Sequence, residues 1–217
     1  MKYKLAVFDM DGTILDTLSD LTASTNYALK TANLPEKTRE DVRRYIGDGV
    51  KELIERACVP VNDEKIIEKV FAAFSEYYKA HGEDLTRPYP GIVEAIKTLR
   101  ANGIKTGVVS NKLEYAVIPL AERYFPSLFD YIAGDKEGVR RKPYPDPILN
   151  AISAMGETKE TTVYIGDSDV DVKAGFNAGV DVISAGWGYR SKEFLLDSGA
   201  KNIVFSAEEM LKKILES

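Results

Sequence analysis

The sequence predicts an α/β fold, a doubly wound parallel sheet into which a cap domain of four helices is inserted. Beyond residue 91, short apolar segments alternate with segments of helical periodicity, a pattern typical of a parallel sheet with right-handed crossovers. Before that point, four helical segments follow one another with no strand between them. We therefore expect a discontinuous core formed by residues 1–15 and 84–217, and a helical cap domain formed by residues 16–83.

The first element is a short apolar, β-prone segment at residues 4–8, which ends at the carboxylates of Asp9 and Asp11. Four helices follow, separated by turn and capping residues; Thr38 and Asp41, for example, are typical of a helix start. The predicted cap helices cover residues 18–32, 38–46, 50–57 and 62–80. A cluster of proline and glycine at residues 87–91 then predicts a hinge that returns the chain to the core.

The remaining elements alternate between helix and strand. Each predicted strand is a short apolar run, and turn residues such as Asn102 and Gly103 end the predicted helices. The predicted helices cover residues 92–101, 113–124, 146–155, 170–178 and 207–215. The predicted strands cover residues 104–109, 129–133, 162–165, 180–184 and 203–205. A parallel arrangement of these strands places their carboxyl ends at one edge of the sheet, where ligands bind in such folds.

Composition and charge restrict the possible partners. The 217-residue chain has a net charge of −5, which argues against nonspecific nucleic-acid binding because such binding needs a basic surface. No apolar run is long enough to cross a membrane, and the N-terminus lacks the pattern of a signal segment. The single cysteine, Cys58, cannot form an internal disulfide, which favours a reducing compartment. We expect a cytoplasmic monomer or homodimer that binds neither nucleic acid nor membrane.

Polar residues follow four of the predicted strands. The four segments are Asp9-Met10-Asp11-Gly12-Thr13, Ser110-Asn111-Lys112, Arg140-Arg141-Lys142 and Gly166-Asp167-Ser168-Asp169-Val170-Asp171. On its own, the first segment is equally consistent with aspartates that cap a turn and the following helix. The recurrence of acids, a hydroxyl group and a lysine at several strand ends instead predicts that these side chains meet at one site.

These residue types suit phosphoryl transfer. Carboxylates from different strand ends, Asp9 and Asp167, are expected to share a Mg²⁺ ion, which prefers hard oxygen ligands. Asp171 lies one helical turn after Asp167, so we expect it to face the same ion directly or through a water molecule. Lys142 would neutralise a phosphate oxygen, and Ser110 with neighbouring backbone amides would donate to another.

Asp9 is also the best candidate for a nucleophile. His81, the only histidine, lies at a predicted helix end beside a glycine, where we expect a capping role rather than catalysis. Attack by Asp9 would form an aspartyl-phosphate, and Asp11 would protonate the leaving oxygen and later activate water. The residues expected to bind substrate beside them are Gly12, whose backbone can approach a ligand closely, Thr13 and Asn111.

The strand-end segments resemble, in order and placement, the four motifs of the haloacid dehalogenase-like hydrolase superfamily. The resemblance covers essentially the whole chain, and it implies a Rossmann-like core and dependence on Mg²⁺. It also implies a nucleophile at Asp9 and a general acid at Asp11. The metal ligands that it implies are the Asp9 carboxylate, the Asp11 backbone carbonyl and Asp167. Asp11 helps to exclude the dehalogenases themselves, which differ at that position and need no metal.

Within the superfamily, the helical cap and three further segments resemble the phosphoglycolate phosphatase group. These segments are Arg44-Tyr45-Ile46-Gly47-Asp48-Gly49, Arg87-Pro88-Tyr89-Pro90-Gly91 and Trp187-Gly188-Tyr189. Without the resemblance, they read as a helix–helix turn, a hinge and a loop over the sheet edge. If the turn of Gly47, Asp48 and Gly49 reaches the site, it is expected to bind the organic part of the substrate.

The expected function is therefore that of a Mg²⁺-dependent phosphatase acting on a small phosphorylated metabolite through an aspartyl-phosphate, with 2-phosphoglycolate as the leading substrate. Alternatives with the same chemistry are a pyrophosphatase, a sugar-phosphate phosphatase and a phosphoglucomutase, which would retain the phosphoryl group for transfer. An alternative of another class is a noncatalytic protein that binds a phosphorylated ligand on an old hydrolase scaffold.

Overall fold

The computed structural model describes residues 2–217, and the chain forms two compact units. One contains the residues up to Leu15 together with Pro88–Ser217, and the other is Asp16–Arg87. The first unit is built on a parallel sheet and the second consists mainly of helices. The expected fold class, a Rossmann-like α/β core with an inserted four-helix segment, is confirmed. That the helices of residues 16–83 act as a cap stays a prediction.

The sheet of the first unit has its topological switch point at its first strand. The strands within the described residues are β1 (Leu5–Phe8), β2 (Leu15–Asp16), β3 (Arg87–Pro88), β4 (Lys105–Leu113), β5 (Tyr131–Asp135), β6 (Thr162–Gly166), β7 (Asp181–Ala185) and β8 (Ile203–Val204). Six of them form a parallel sheet in the order β5-β4-β1-β6-β7-β8, and β2 pairs with β3. Since β4 and β6 flank β1, a crevice is expected at the carboxyl end of β1.

The central strands are buried on both faces. In β1, Ala6 and Phe8 belong to one hydrophobic cluster and Leu5 and Val7 to the other, because successive side chains of a strand point to opposite faces. Helices cover both faces of such a sheet, which explains why the strand reads as a continuous apolar run rather than an alternating one. In β6, Tyr164 is fully buried in the second of these clusters.

Helices connect the strands and form the second unit. They are α1 (Leu18–Thr31), α2 (Arg39–Tyr45), α3 (Val50–Cys58), α4 (Glu64–His81), α5 (Ile92–Ala101), α6 (Glu114–Tyr124), α7 (Asp146–Met155), α8 (Asp169–Ala178), α9 (Lys192–Asp197) and α10 (Ala207–Leu215). At the start of α2, the Thr38 hydroxyl accepts a hydrogen bond from the Asp41 N–H and the Asp41 carboxylate accepts one from the Thr38 N–H. This reciprocal pair is the capping that the sequence predicts.

The helical unit, described by itself, packs α1 against α4. Phe74 and Tyr78 of α4 are buried with their rings stacked at 5.4 Å between centroids, so these two aromatic side chains form packing surface. The buried carboxylate of Asp20 in α1 accepts hydrogen bonds from the backbone N–H groups of Leu85 and Thr86. The two ends of this unit are therefore joined by a charge-assisted contact.

The two-residue strands β2 and β3 were not predicted, and several elements begin or end one or two residues from their predicted bounds. The more informative differences concern β5, β4 and α9. Strand β5 lies two residues later than predicted, because Phe129 packs against Phe8 and Phe125 and owes its hydrophobicity to that contact rather than to a strand. Strand β4 continues to Leu113 instead of ending at residue 109, with a shift of register against β5. Helix α9 was not predicted, since six residues are too few to show a helical period.

Candidate active site

The carboxyl end of β1 places Asp9 at the switch point of the sheet. The Asp9 N–H donates to the carbonyl oxygen of Ile165 in β6 at 2.8 Å, so the backbone of Asp9 continues the ladder of the strand. Its carboxylate is buried, and Lys142 Nζ donates to Asp9 Oδ1 at 2.7 Å. Two of the expected site residues, 133 positions apart in the chain, therefore meet.

Lys142 lies at the centre of a buried polar network. Besides Asp9, its ammonium group donates to Asp171 Oδ1 at 2.7 Å and to the Tyr164 hydroxyl at 2.9 Å. An ammonium group has three N–H donors, and each of them has a partner here. The lysine, only 3% exposed, is therefore held with its charge directed at Asp9. The expected contact of Lys142 with a phosphate oxygen stays a prediction.

Three buried carboxylates form a group that could hold a metal ion. Asp9, Asp167 and Asp171 each offer an oxygen, and these atoms all lie within 4.8 Å of one another. Carboxylate oxygens are hard ligands of the kind that Mg²⁺ and Ca²⁺ prefer. With Lys142 as their lysine partner, the three carboxylates retain an excess of negative charge that a divalent cation would offset. The donor set fits a metal ion of this class.

The pKa directions follow from burial and from the position of the lysine. Burial raises the pKa of Asp9 to about 7, against the opposing effect of Lys142. Burial likewise raises the pKa of Asp167 well above its ordinary value of 3.8, and the charges of Asp171 and Asp9 add to this rise. For Asp171, burial is outweighed by Lys142, and the pKa is lowered. Asp171 thus forms the stable ion pair with the lysine, and Asp9 and Asp167 remain under-compensated.

Asp171 is held on both of its oxygens. One oxygen accepts hydrogen bonds from the Ser168 N–H at 3.1 Å and the Ser168 hydroxyl at 2.6 Å, as part of the capping box of α8. The other accepts from Lys142 and, at 2.8 Å, from the Tyr164 hydroxyl. These contacts make Asp171 a residue that positions Lys142, and its expected place on the metal stays a prediction.

Two glycines pack directly against Asp167. Its carboxylate accepts hydrogen bonds from the Thr13 hydroxyl at 3.2 Å and the Tyr189 N–H at 2.6 Å. A Cβ on Gly12, whose φ is +84°, would lie 2.3 Å from Asp167 Oδ2, and one on Gly188 would lie 2.3 Å from Asp167 Cβ. Both positions therefore require glycine. Gly12 packs against Asp167 and Thr13 donates to it, so both residues fix the position of its carboxylate. Their contact with substrate stays a prediction.

Asp11 pairs with Lys112, a residue for which the sequence predicted no role. Lys112 Nζ lies 3.0 Å from both carboxylate oxygens of Asp11, and the two side chains are 8% and 13% exposed. Lys112 comes from the end of β4, on the side of β1 opposite to β6. Its position directly after Ser110 and Asn111 was the signal that could have identified it.

Ser110 and Asn111 lie in the irregular end of β4 and are both buried. The Asn111 side-chain amide donates to the Lys142 carbonyl oxygen at 2.9 Å, and its oxygen accepts from the Lys142 N–H at 2.9 Å. Asn111 therefore holds the backbone of the segment that carries Lys142. Ser110 Oγ accepts from the Lys112 N–H at 3.2 Å. The expected substrate contacts of Ser110 and Asn111 stay predictions.

The turn of Gly47, Asp48 and Gly49 belongs to the helical unit, where it joins α2 to α3. Both glycines have positive φ values, 125° and 103°, which favour glycine. Arg56 pairs with the Asp48 carboxylate and donates to the Tyr45 carbonyl oxygen, so the turn is tied to α3. Its expected role in binding substrate stays a prediction.

The buried tyrosine of β6 was also not recognised from the sequence. Tyr164 lies in an apolar run, where a tyrosine reads as core, yet its hydroxyl contacts both Lys142 and Asp171. A tyrosine two residues before Gly166 at a strand end is the signal that could have identified it. Trp187, in the loop after β7, donates from Nε1 to the Thr13 carbonyl oxygen at 3.0 Å and thereby supports the turn that follows Asp11.

Together, the parallel α/β core and the buried aspartate–lysine network at its switch point have the arrangement of an enzyme active site. The family model described as haloacid dehalogenase-like hydrolase matches residues 6–185. The chain therefore belongs to the haloacid dehalogenase-like hydrolase family, and the resemblance seen in the motifs is confirmed. Within the part of the chain that the structure describes, no helix is long and apolar enough to span a membrane.

The chain is similar to several proteins of known name. It is 32% identical to a phosphoglycolate phosphatase of Aquifex aeolicus over 99% of this chain and 97% of that protein. It is 28% identical to the pyrophosphatase PpaX of Halalkalibacterium halodurans, over 97% of this chain and 96% of that protein. The crystal structure of a candidate phosphoglycolate phosphatase from Lactobacillus delbrueckii subsp. bulgaricus has a TM-score of 0.93 and 38% identity, covering 99% of both chains. The expectation of a phosphoglycolate phosphatase-like hydrolase is confirmed at this level.

Proposed function

We propose that the protein is a Mg²⁺-dependent phosphatase that hydrolyses 2-phosphoglycolate through an aspartyl-phosphate on Asp9. The observation that carries the proposal is the convergence at the end of β1. Lys142 Nζ lies 2.7 Å from Asp9 Oδ1, inside a buried group of carboxylates. A nucleophilic carboxylate, a fixed positive charge and a cation-binding group at one point are what phosphoryl transfer requires.

Mg²⁺ would be held by the Asp9 carboxylate, the Asp11 backbone carbonyl and Asp167. The raised pKa values of Asp9 and Asp167 support this set, because both carboxylates lack compensating charge without a cation. When bound, the ion would neutralise the charge of the phosphoryl group and orient it for in-line attack. Asp171, already bonded to Ser168 and Lys142, would act on the site through the lysine.

Asp9 and Asp11 then act in each of the two half-reactions. A carboxylate oxygen of Asp9 attacks phosphorus, the bond from phosphorus to the ester oxygen breaks, and Asp11 gives a proton to the leaving alcohol. Asp11 next takes a proton from water, whose oxygen attacks phosphorus, and the bond from phosphorus to Asp9 breaks. Inorganic phosphate leaves, the Asp9 carboxylate is regenerated, and Asp11 again carries the proton with which it began. Throughout, Lys142 holds Asp9 in place and offsets charge at the site.

The substrate assignment rests on similarity together with the site. The Aquifex aeolicus relative, matched along nearly its whole length, is named for phosphoglycolate. The similarity to PpaX makes pyrophosphate a second candidate for the same machinery. A phosphoglucomutase would return an isomer instead of free phosphate, and a noncatalytic binding protein would release none.

The test is an assay of free phosphate release from 2-phosphoglycolate, pyrophosphate and sugar phosphates, with Mg²⁺ and with a chelator. We expect Mg²⁺-dependent release that is fastest with 2-phosphoglycolate, and a loss of at least about 10³-fold in Asp9→Asn. Asp169→Asn is the matched control, since Asp169 pairs with Lys173 at 2.7 Å and is not one of the three clustered carboxylates. Retention of a tenth or more of the activity by Asp9→Asn would remove Asp9 from its role, and a faster reaction with pyrophosphate would replace the substrate.

A further inference from the structure

A second, largely buried lysine contacts the other of the two aspartates that follow β1. Lys112 Nζ is 3.0 Å from Oδ1 and 3.0 Å from Oδ2 of Asp11, and the lysine side chain is 8% exposed. Burial of a lysine is costly unless its charge is paired, so this contact is a built feature of the site rather than a surface ion pair. Its partner is the residue that acts on the leaving group.

The backbone of Lys112 is held as firmly as its side chain. Its N–H donates to Ser110 Oγ at 3.2 Å. The neighbouring strand β5 approaches so closely that a Cβ on Gly134 would lie 2.6 Å from the Lys112 carbonyl oxygen. The ammonium group is therefore presented from a rigid strand end, as a specific contact with a ligand requires.

The two lysines serve different parts of the substrate. Lys142 donates its three N–H groups to Asp9, Asp171 and Tyr164, so its charge lies beside Asp9, the proposed nucleophile. Lys112 instead lies beside Asp11, and a general acid must lie within about 3 Å of the scissile oxygen. The charge of Lys112 is therefore on the leaving-group side.

A carboxylate on the carbon next to the scissile oxygen would meet this ammonium group. In 2-phosphoglycolate, the carboxylate carbon is two bonds from the scissile oxygen, a distance of about 2.4 Å by ordinary bond lengths. A substrate whose scissile oxygen contacts Asp11 thus brings a second carboxylate to Lys112, which already binds one carboxylate of that geometry. The ammonium group can share its donors between Asp11 and the substrate, since it has three.

We propose that Lys112 recognises a negative charge on the leaving group and so makes the site selective for phosphomonoesters of small 2-hydroxy acids. This inference rests on the proposed function and adds the residue that determines specificity. The terminal phosphate of pyrophosphate would offer the same ammonium group an anionic partner, so the experiment includes both kinds of leaving group.

The test compares Lys112→Met with the wild type, both with Mg²⁺, on two esters of the same size. The esters are 2-phosphoglycolate and 2-hydroxyethyl phosphate, in which a neutral CH₂OH group replaces the carboxylate. We expect the ratio of their kcat/KM values to fall about 10- to 100-fold, as for the loss of a charge-assisted hydrogen bond. Lys112→Arg should retain part of the ratio. The control Lys136→Met, which removes an exposed lysine paired with Glu114 after β5, should leave the ratio unchanged.

Each other outcome is decisive. An equal loss on both esters would mean that Lys112 only positions Asp11, which would overturn the proposal. A wild type that hydrolyses both esters equally well would also overturn it, but would leave the phosphatase function standing. A wild type that hydrolyses no phosphomonoester would overturn the proposed function itself. If Lys112→Met lowers activity on pyrophosphate more than on 2-phosphoglycolate, the preferred anion is a phosphate, and the assignment to 2-hydroxy acids fails.

A binding measurement covers the case in which Lys112→Met folds but is inactive, or does not fold. The probes are 3-phosphonopropionate, which replaces the scissile oxygen of 2-phosphoglycolate by CH₂, and propylphosphonate, which lacks the carboxylate. Competitive inhibition of p-nitrophenyl phosphate hydrolysis by the wild type and by Lys112→Arg gives the ratio of the two inhibition constants. We expect the wild type to prefer 3-phosphonopropionate and Lys112→Arg to lose part of that preference. No preference in the wild type would overturn the proposal.

Discussion

Neutralising Asp9 should stabilise the metal-free protein while it abolishes catalysis. The pKa of Asp9 rises from an ordinary value of 3.8 to about 7, chiefly because the carboxylate is buried. Each tenfold loss of acidity corresponds to about 1.4 kcal/mol, so an ionised Asp9 costs the folded protein up to about 4 kcal/mol at neutral pH. Asp9→Asn removes this charge and keeps an oxygen that can accept the hydrogen bond from Lys142. We expect its free energy of unfolding to exceed that of the wild type.

The sign of the effect fixes its pH dependence. Because the pKa of Asp9 is raised in the folded state, the cost is absent below about pH 4, grows between about pH 4 and 7, and is constant above that range. Urea unfolding of both proteins with a chelator, followed by circular dichroism from pH 4 to 8, measures the difference. A variant that is less stable than the wild type at neutral pH, or a difference that does not change with pH, would refute the reasoning.

Asp130 provides a control of opposite sign. Burial favours a higher pKa for Asp130, but the ion pair with Arg100 and the hydrogen bond from the Thr106 N–H outweigh it, and the pKa is lowered. Asp130→Asn should therefore destabilise the protein above pH 4, and this loss should vanish as the pH falls through the lowered pKa. Opposite pH trends in two Asp→Asn variants of the same compact unit would exclude a general effect of the substitution.

Three further predictions concern the site and the helical unit. Mg²⁺ added to the metal-free wild type should raise its melting temperature in proportion to the logarithm of the Mg²⁺ concentration. Asp167→Asn should weaken the apparent affinity for Mg²⁺ by more than about 10-fold, and an unchanged affinity would exclude Asp167 as a ligand. Tyr164→Phe should lower the free energy of unfolding by about 1.5–3 kcal/mol and should lower kcat by a larger factor than it changes KM, because the Tyr164 hydroxyl bridges Lys142 and Asp171. Tyr131→Phe is the control, and a normal kcat in Tyr164→Phe would contradict a positioning role for this hydroxyl. Gly49→Ala, at a φ of 103°, should alter the preference between 2-phosphoglycolate and p-nitrophenyl phosphate; an equal loss on both would count against the turn as a selector.

Much of the fold could be predicted because its signals are local. Helices α5, α7 and α10 begin and end at the predicted residues, since apolar periodicity and the flanking turn residues lie within each segment. Strand β5, which lies two residues later than predicted, and helix α9, which was not predicted, show where such local signals fail. Phe129 is apolar because of a tertiary contact with Phe8, and six residues carry too little periodicity to identify a helix.

The candidate site also has one part that the sequence could predict and one part that it could not. The types of its residues could be predicted, because each strand ends in its own short polar segment. Their roles toward one another could not, since Asn111 and Asp171 turned out to bond to the segment and the side chain of Lys142. Tyr164 was hidden in an apolar run, where only a neighbour from another segment shows that its hydroxyl is engaged.

By itself, the sequence determined the α/β class, the order of the elements and the family, because the periods of helix and strand and the spacing of motifs are written along the chain. Only the tertiary structure decided which ammonium group meets which carboxylate. Lys142 pairs with Asp9 across 133 positions and Lys112 pairs with Asp11 across 101. These pairs are set by the order in which parallel strands assemble around β1, and electrostatic interaction depends on distance in space rather than on distance in sequence.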